Sequence, residues 1–227
     1  MLGRILICLG TLPWPCAAAA PWTQPDDTLY ARASIARERV EGLTGWRSDL
    51  YLEYGVSDAL TLTGKVEGVS YDAAGDFNTQ GWRTTVRRKL YQSGPFNVAI
   101  EGGVLKGAAV GGRNGCNSLG VELRGGASWS GAWQERQTFA FAETAMREHD
   151  SCHRTRHEFG LGQALTERVW SVTQVWIERG SRNADSDKIQ SELMWRQPSL
   201  DLSIGYRSEN GGSFTEESIF FAVAKTF

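Results

Sequence analysis

Bulky apolar residues recur at every second position along most of this chain, with polar residues filling the places between. In "WRSDLYLEY", Trp46, Leu50, Leu52 and Tyr54 share one face, and Arg47, Asp49 and Glu53 share the other. In "WRTTVRRKL", Trp82, Val86 and Leu90 alternate with Arg83, Arg87 and Lys89. A two-residue period is that of an extended strand with one apolar face. The same reading places Leu62 and Val66 opposite Lys65 and Glu67, sets Phe96, Val98, Ile100 and Val104 against Glu101, and aligns Leu119, Val121 and Leu123 against Glu122 and Arg124. Further strands are predicted over Leu29 to Val40, Trp133 to Met146, Phe159 to Leu161, Trp170 to Glu178, Ile189 to Arg196, Leu200 to Tyr206 and the closing "FFAVAKTF". The total is roughly twelve strands. In Trp133 to Met146, "FAFA" leaves the face ambiguous.

Connection lengths are predicted to alternate. Those near Ser57, Gly94, Gly131, Glu167 and Pro198 read as short turns, with "WSGA" turning the chain before the seventh strand. Those around Gly42, Asp76, Gly111, Asp150, Asn183 and Gly211 read as longer polar loops. Tight turns at one end and long loops at the other are the asymmetry of a membrane barrel whose tight end faces the periplasm, and this count puts both termini there. The expected fold is all-β: a closed antiparallel transmembrane β-barrel of about twelve strands. No water is present in hydrocarbon to satisfy backbone groups, so such a sheet must close, with its apolar face outward and its charges inward. Candidate lumen-lining residues are Arg47, Asp49, Glu53, Lys65, Glu67, Arg83, Arg87, Lys89, Glu101, Glu122 and Arg124. Aromatic placement separates this from a soluble sandwich: Trp46, Tyr54, Trp82, Phe96, Trp133, Trp170, Trp195, Tyr206 and Phe227 fall near strand ends, where interfacial girdles lie.

Composition adds three constraints. The 24 basic and 26 acidic residues nearly balance, which gives no electrostatic case for nucleic acid. The first residues read as a secretory signal peptide: Arg4, then an apolar run from Ile5 to Leu12, then "CAAAAP". Cleavage after Ala19 is expected, leaving residues 20–227 as a single exported domain. It would remove Cys8 and Cys16, and leave Cys116 and Cys152 as a candidate disulfide in an oxidising compartment, with two free thiols as the alternative.

The closing run, with Ile219, Phe221, Val223 and terminal Phe227, resembles the C-terminal signature of bacterial outer-membrane β-barrel proteins. Lys225 departs from that pattern, and a snorkelling lysine near the interface is tolerable. The stretches "APWTQPDDTLYARAS" and "LYLEYGVSDALTLTGKVEG" are similar to barrel proteins of alphaproteobacteria. The resemblance implies a Gram-negative outer membrane as location, assembly by the barrel assembly machinery, and contact with outer-membrane lipids and lipopolysaccharide. It supplies no catalytic residue.

Candidate chemistry is sparse. His149, His153 and His157 recur every four residues, which in a strand spans roughly 13 Å, too far for one ion. A loop site from His149, Asp150, Cys152 and His153 is the alternative to two loop histidines and an interfacial His157. His157 shares the outward face of Phe159 and Leu161, which raises a lipid-hydrolase reading without a nameable serine. "GGVLKGAAVGGRNG" lacks the ending of a phosphate loop. Asp72, Asp76 and Asn78, and separately Asp185 and Asp187, read as solvated loop residues. No cofactor or metal is expected. The preferred function is a narrow, monomeric, porin-like channel for small solutes. A non-conducting structural or adhesive barrel and a lipid-modifying hydrolase are the alternatives.

Overall fold

In the computed structural model, residues 21–73, 75–107, 116–150, 152–181, 185–211 and 214–227 are described. The strands are β1 Leu29–Val40, β2 Leu43–Ser57, β3 Leu60–Tyr71, β4 Thr79–Ser93, β5 Phe96–Gly107 and β6 Gly120–Trp133. They continue as β7 Arg136–His149, β8 Cys152–Ala164, β9 Val169–Gly180, β10 Ser186–Arg196, β11 Asp201–Asn210 and β12 Thr215–Thr226. Each pairs antiparallel with its neighbours in sequence, and β1 pairs with β12, so the sheet closes into a barrel without an edge. The segment proposed as a leader, with Cys8 and Cys16, lies outside the described residues, as do Gly111 and Asn183.

The alternation seen in the sequence becomes the two faces of this wall. On β2, Trp46, Leu50, Leu52, Tyr54 and Val56 are exposed on the outside, whereas Arg47, Tyr51 and Glu53 are buried within. On β12, Ile219, Phe221 and Val223 face out, with Phe227 exposed just beyond the strand, while Phe220, Ala222 and Ala224 face in. Exposed leucines, valines and aromatics thus cover the outer surface, an arrangement that water would penalise and lipid favours. Phe139 and Phe141 resolve the "FAFA" ambiguity by pointing inward.

Several connections differ from the sequence expectation. The one at Gly42 is a two-residue turn, with Glu41 at φ 48° and Gly42 at φ 84°. The connection at Asp150 also spans only two residues, from His149 to Cys152. The polar, charged residues that suggested loops there belong to strand ends, whose inner face is itself charged. The turn from β6 into β7 sits not at Gly131 but at Gln134 and Glu135, both with positive φ (50° and 62°), the backbone a two-residue hairpin turn requires. The asymmetry between ends survives, because the β3–β4 connection holds a short 3-10 turn, Gly75–Phe77, and β5 and β6 are joined through residues 108–119. Both strand termini lie at the tight end, where Leu29 and Phe227 exchange backbone hydrogen bonds of 3.3 and 2.8 Å.

Candidate functional site: a charged lumen closed at one end

The interior of the barrel is a ladder of guanidinium and carboxylate groups. Arg47 contacts Glu38 (2.5 Å), Glu67 and Glu216 (3.0 Å), drawing β12, β1, β2 and β3 together. Arg87 reaches Glu101 at 2.8 Å, Glu53 at 2.7 Å and the Tyr51 hydroxyl at 3.3 Å. Glu122 is shared by Arg83 (3.1 Å), Arg124 (3.3 Å) and Arg147. Arg124 also meets Glu143 at 2.9 Å, and Glu178 is shared by Arg154 and Arg156, each at 3.1 Å. Charges this deeply buried are tolerated because each has partners, and removing one partner would strand the rest.

The tight end carries a different material. Phe139 and Phe141 on β7, Trp170 and Val172 on β9 and Met194 on β10 form a buried apolar cluster inside the barrel. Trp170 is therefore not an interfacial ring: it is 1% exposed and faces the lumen, stacked on Phe139 at 6.0 Å. Its place near a strand end suited a girdle, but on β9 the inward set is Trp170, Val172, Gln174, Trp176 and Glu178, as apolar as the outward one. Residues 21–25, ahead of β1, run into this end. The Trp22 ring meets Phe139 edge-on at 5.6 Å, and its carbonyl accepts from Arg87 at 2.7 Å. Asn97 donates to the Pro21 carbonyl, and the Gln24 backbone N–H donates to Thr61 Oγ1 at 2.8 Å. Gly55 makes room for this segment, since a β-carbon there would collide with the Pro25 carbonyl. The tight mouth is thus stoppered by the chain's own N-terminal segment.

At the opposite end lies a cavity of about 610 Å³, open among the longer connections. Its lining includes Arg47, Lys65, Arg83, Arg124, Arg154, Arg156, Glu178, Glu209 and Glu216, with Trp176, Phe220 and Tyr71 between them. The structure thus brings most of the sequence candidates into one interior, with Asp49 3.6 Å from Lys65. Lys89 is the exception. A bulge between Lys89 and Tyr91 shifts the β4–β5 register, and the ammonium turns to Gln92 at 2.9 Å at the tight rim, away from the ion network. Sequence reasoning missed Glu38, Glu143, Arg147, Arg154, Arg156, Glu158 and Glu178. Parity would have found three of them, for once Phe159 and Leu161 face out, Arg154, Arg156 and Glu158 must face in.

The remaining candidates have other employments. Cys116 and Cys152 are joined in a disulfide with Cα atoms 5.3 Å apart. This tethers the end of the β5–β6 connection to the start of β8 and leaves no thiolate for a metal. His149 and His153 are strand residues rather than loop residues, because the turn between β7 and β8 is so short; His149 Nδ1 lies 3.0 Å from the Ser118 carbonyl. On the outer wall, His157 Nδ1 lies 3.0 Å from the Thr144 hydroxyl, its register partner, with Ile177 on its other side. Asn78 accepts from the Tyr71 backbone at 2.9 Å, Asp185 from the Gly180 backbone at 2.8 Å, and Asp187 pairs with Arg179 at 2.7 Å.

No protein-family model matches the chain, and no curated protein matches it in sequence. Solved structures do match in fold. An outer-membrane channel from Pseudomonas putida F1 superposes with a TM-score of 0.61 at 10% identity, over 94% of this chain and 100% of that one. The NanC porin gives 0.59 at 12% identity, over 85% and 98%. The KdgM porin gives 0.58 at 7% identity, over 86% and 99%. At such identities the likeness is one of fold: a closed twelve-stranded antiparallel barrel of the kind found in bacterial outer membranes.

Proposed function

We propose that this chain is an outer-membrane barrel acting as a narrow, porin-like channel for small polar solutes, with its stoppered tight end in the periplasm. The observation that carries this reading is the cavity of about 610 Å³, lined by charges of both signs and open at the long-loop end. A barrel wall greased on the outside and ionised within belongs in lipid. Export after cleavage at Ala19 fits that destination, and the likeness of its opening stretches to alphaproteobacterial barrels points to that group as the source. The outward-facing Ile219, Phe221, Val223 and Phe227 would serve as the signal for the barrel assembly machinery, and the outer girdle would meet lipid and lipopolysaccharide.

Closure of the tight mouth favours one second reading, a barrel that conducts nothing and serves a structural or adhesive role. The two separate on what residues 21–25 do. They are held by hydrogen bonds and a single indole rather than by the sheet ladder, so a channel would open when they leave. Planar-bilayer recording of the refolded barrel tests this. The expected result is a small or intermittent conductance from the intact chain and a larger, steadier one after deletion of residues 21–25. Absence of current from both would overturn the channel.

A further inference from the structure

The outer wall of the barrel is not evenly packed. Between the bulky outward residues of β1 to β5 runs a groove of about 780 Å³. Its floor is set by small side chains, Ala33 on β1, Ser48 on β2 and Gly68 on β3. Ser48 and Gly68 are register partners, and Gly68 pairs in turn with Gln80 on β4. Leu50, Val66 and Trp82 wall the groove as one row of register partners, all exposed on the outside. Asp49 and Glu67 also border it, but their side chains turn into the lumen, where Lys65 and Arg47 hold them. A β-carbon on Gly68 would stand 3.7 Å from the Thr79 carbonyl oxygen and 3.9 Å from Ser48 Oγ, which are ordinary contacts. The backbone thus does not require glycine here, and its missing side chain keeps the groove open.

One lip of this groove is polar. Lys106 extends the row as the register partner of Trp82, next to the last residue of β5 at the long-loop end. Lys106, Gln80 and Ser48 are all exposed, so their side chains are open to a ligand. Among the described residues these three side chains have no hydrogen-bond or ion-pair partner. No outward position on β2 to β5 is acidic. The ammonium therefore stands uncompensated at the rim of a wall that meets hydrocarbon just below it, where lipid headgroups begin.

We infer that this groove is a binding site for an anionic, phosphate-bearing membrane lipid. One acyl chain would lie along Ala33, Ser48 and Gly68, with the phosphate at Lys106 and Gln80. The depression admits a chain that bulkier side chains elsewhere on the wall hold off, and close contact with its floor adds dispersion attraction. The ammonium supplies the charge that a phosphate seeks, and the Gln80 amide offers further N–H donors. With no outward carboxylate nearby, nothing repels the anion. A lysine that merely snorkelled to water would choose no lipid over another. The inference rests on the reading that this wall faces lipid, and on nothing about whether the lumen conducts.

Native mass spectrometry of the detergent-refolded barrel tests it, with dimyristoyl phosphatidic acid and dimyristoyl phosphatidylcholine supplied at equal concentration. The expected result is retention of a phosphatidic acid molecule in preference to phosphatidylcholine by about fivefold, the magnitude expected of one lysine beside an anionic lipid. Lys106→Gln should bring the two lipids level. Gly68→Phe, which fills the groove and leaves the charge in place, should also abolish the preference. Arg88→Gln removes an exposed cation that faces out toward the tight end of β4, away from the groove, and should leave the preference intact. Equal retention of the two lipids by the wild-type protein, or a preference that survives either groove variant, overturns the assignment. Competition by glycerol phosphate, which carries no chain, would make this a free-anion site and overturn it as well. Either groove variant decides the matter if the other fails to fold. A barrel that holds both lipids alike still sits in a membrane, and its planar-bilayer current is read separately, so failure here is distinct from failure of the channel.

Discussion

The ring of Phe141 on β7 covers Gly160 on β8, its direct partner in the register, and occupies the space where a β-carbon on that glycine would stand. Phe139 covers Gly162 and Phe220 covers Gly205 in the same way. Three inward rings are thereby laid down along the wall instead of projecting across the lumen, and each shields the backbone of a residue with no side chain.

Gly160→Val should displace the Phe141 ring and loosen the apolar cluster at the tight end. Overpacking of this kind costs about 1–3 kcal/mol. A lowered urea midpoint of the detergent-refolded barrel is the expected outcome. Gly64→Val, where no atom lies within 4 Å of the added carbon, should leave the midpoint unchanged. Similar losses from both substitutions would refute the steric account.

Arg47 bridges Glu216 to the β1–β3 carboxylates Glu38 and Glu67. Arg47→Ala would leave three buried carboxylates facing one another and should cost about 3–5 kcal/mol. Arg47→Lys keeps the charge but loses the planar fork, so its loss should fall between wild type and alanine. Denaturant unfolding of the three proteins side by side gives the order, and an alanine variant as stable as wild type would contradict it.

The disulfide joins residues 36 apart in sequence, closing a long loop in the unfolded chain. Replacing Cys116 and Cys152 together by serine should lower stability by about 2–4 kcal/mol. A reducing agent added to the wild-type protein should reproduce the shift and leave the double variant unmoved. If reduction changes both equally, the bond is not the cause.

Asp72, on the β3–β4 connection, accepts hydrogen bonds from Arg37 (3.2 Å) and Thr44 (3.1 Å). The Arg37 hydrogen bond holds its carboxyl below the usual aspartate range. A depressed acid stabilises its contacts above the ordinary aspartate pKa of about 3.9, and that contribution is lost as pH falls through the lowered value. Proteolytic nicking of this connection by an acid-active protease should therefore rise at the acid end in wild type. Asp72→Asn should be nicked readily at every pH tested. A flat profile in wild type would show that the pair anchors nothing.

The wall of this barrel was readable in the chain because lipid and lumen impose opposite demands on alternate residues, as on β2 and β4. Turn positions were harder. Gln134 and Glu135 adopt positive φ although Gly131, three residues earlier, carries the stronger turn signal. Trp170 shows the limit of placing rings by strand position, since β9 is apolar on both faces. The stopper could not be read at all. Its contacts link Gln24 to Glu53 and Pro21 to Asn97, and no local pattern reports on partners brought together only by closure.

That stopper also orders events in time. The berth for residues 21–25 is assembled from side chains on β3, β4, β5 and β7, so it does not exist while those strands are still being laid side by side. Residues 21–25 can therefore settle into place only after those strands have come together, so a barrel caught before that point has an unfilled berth at its tight end.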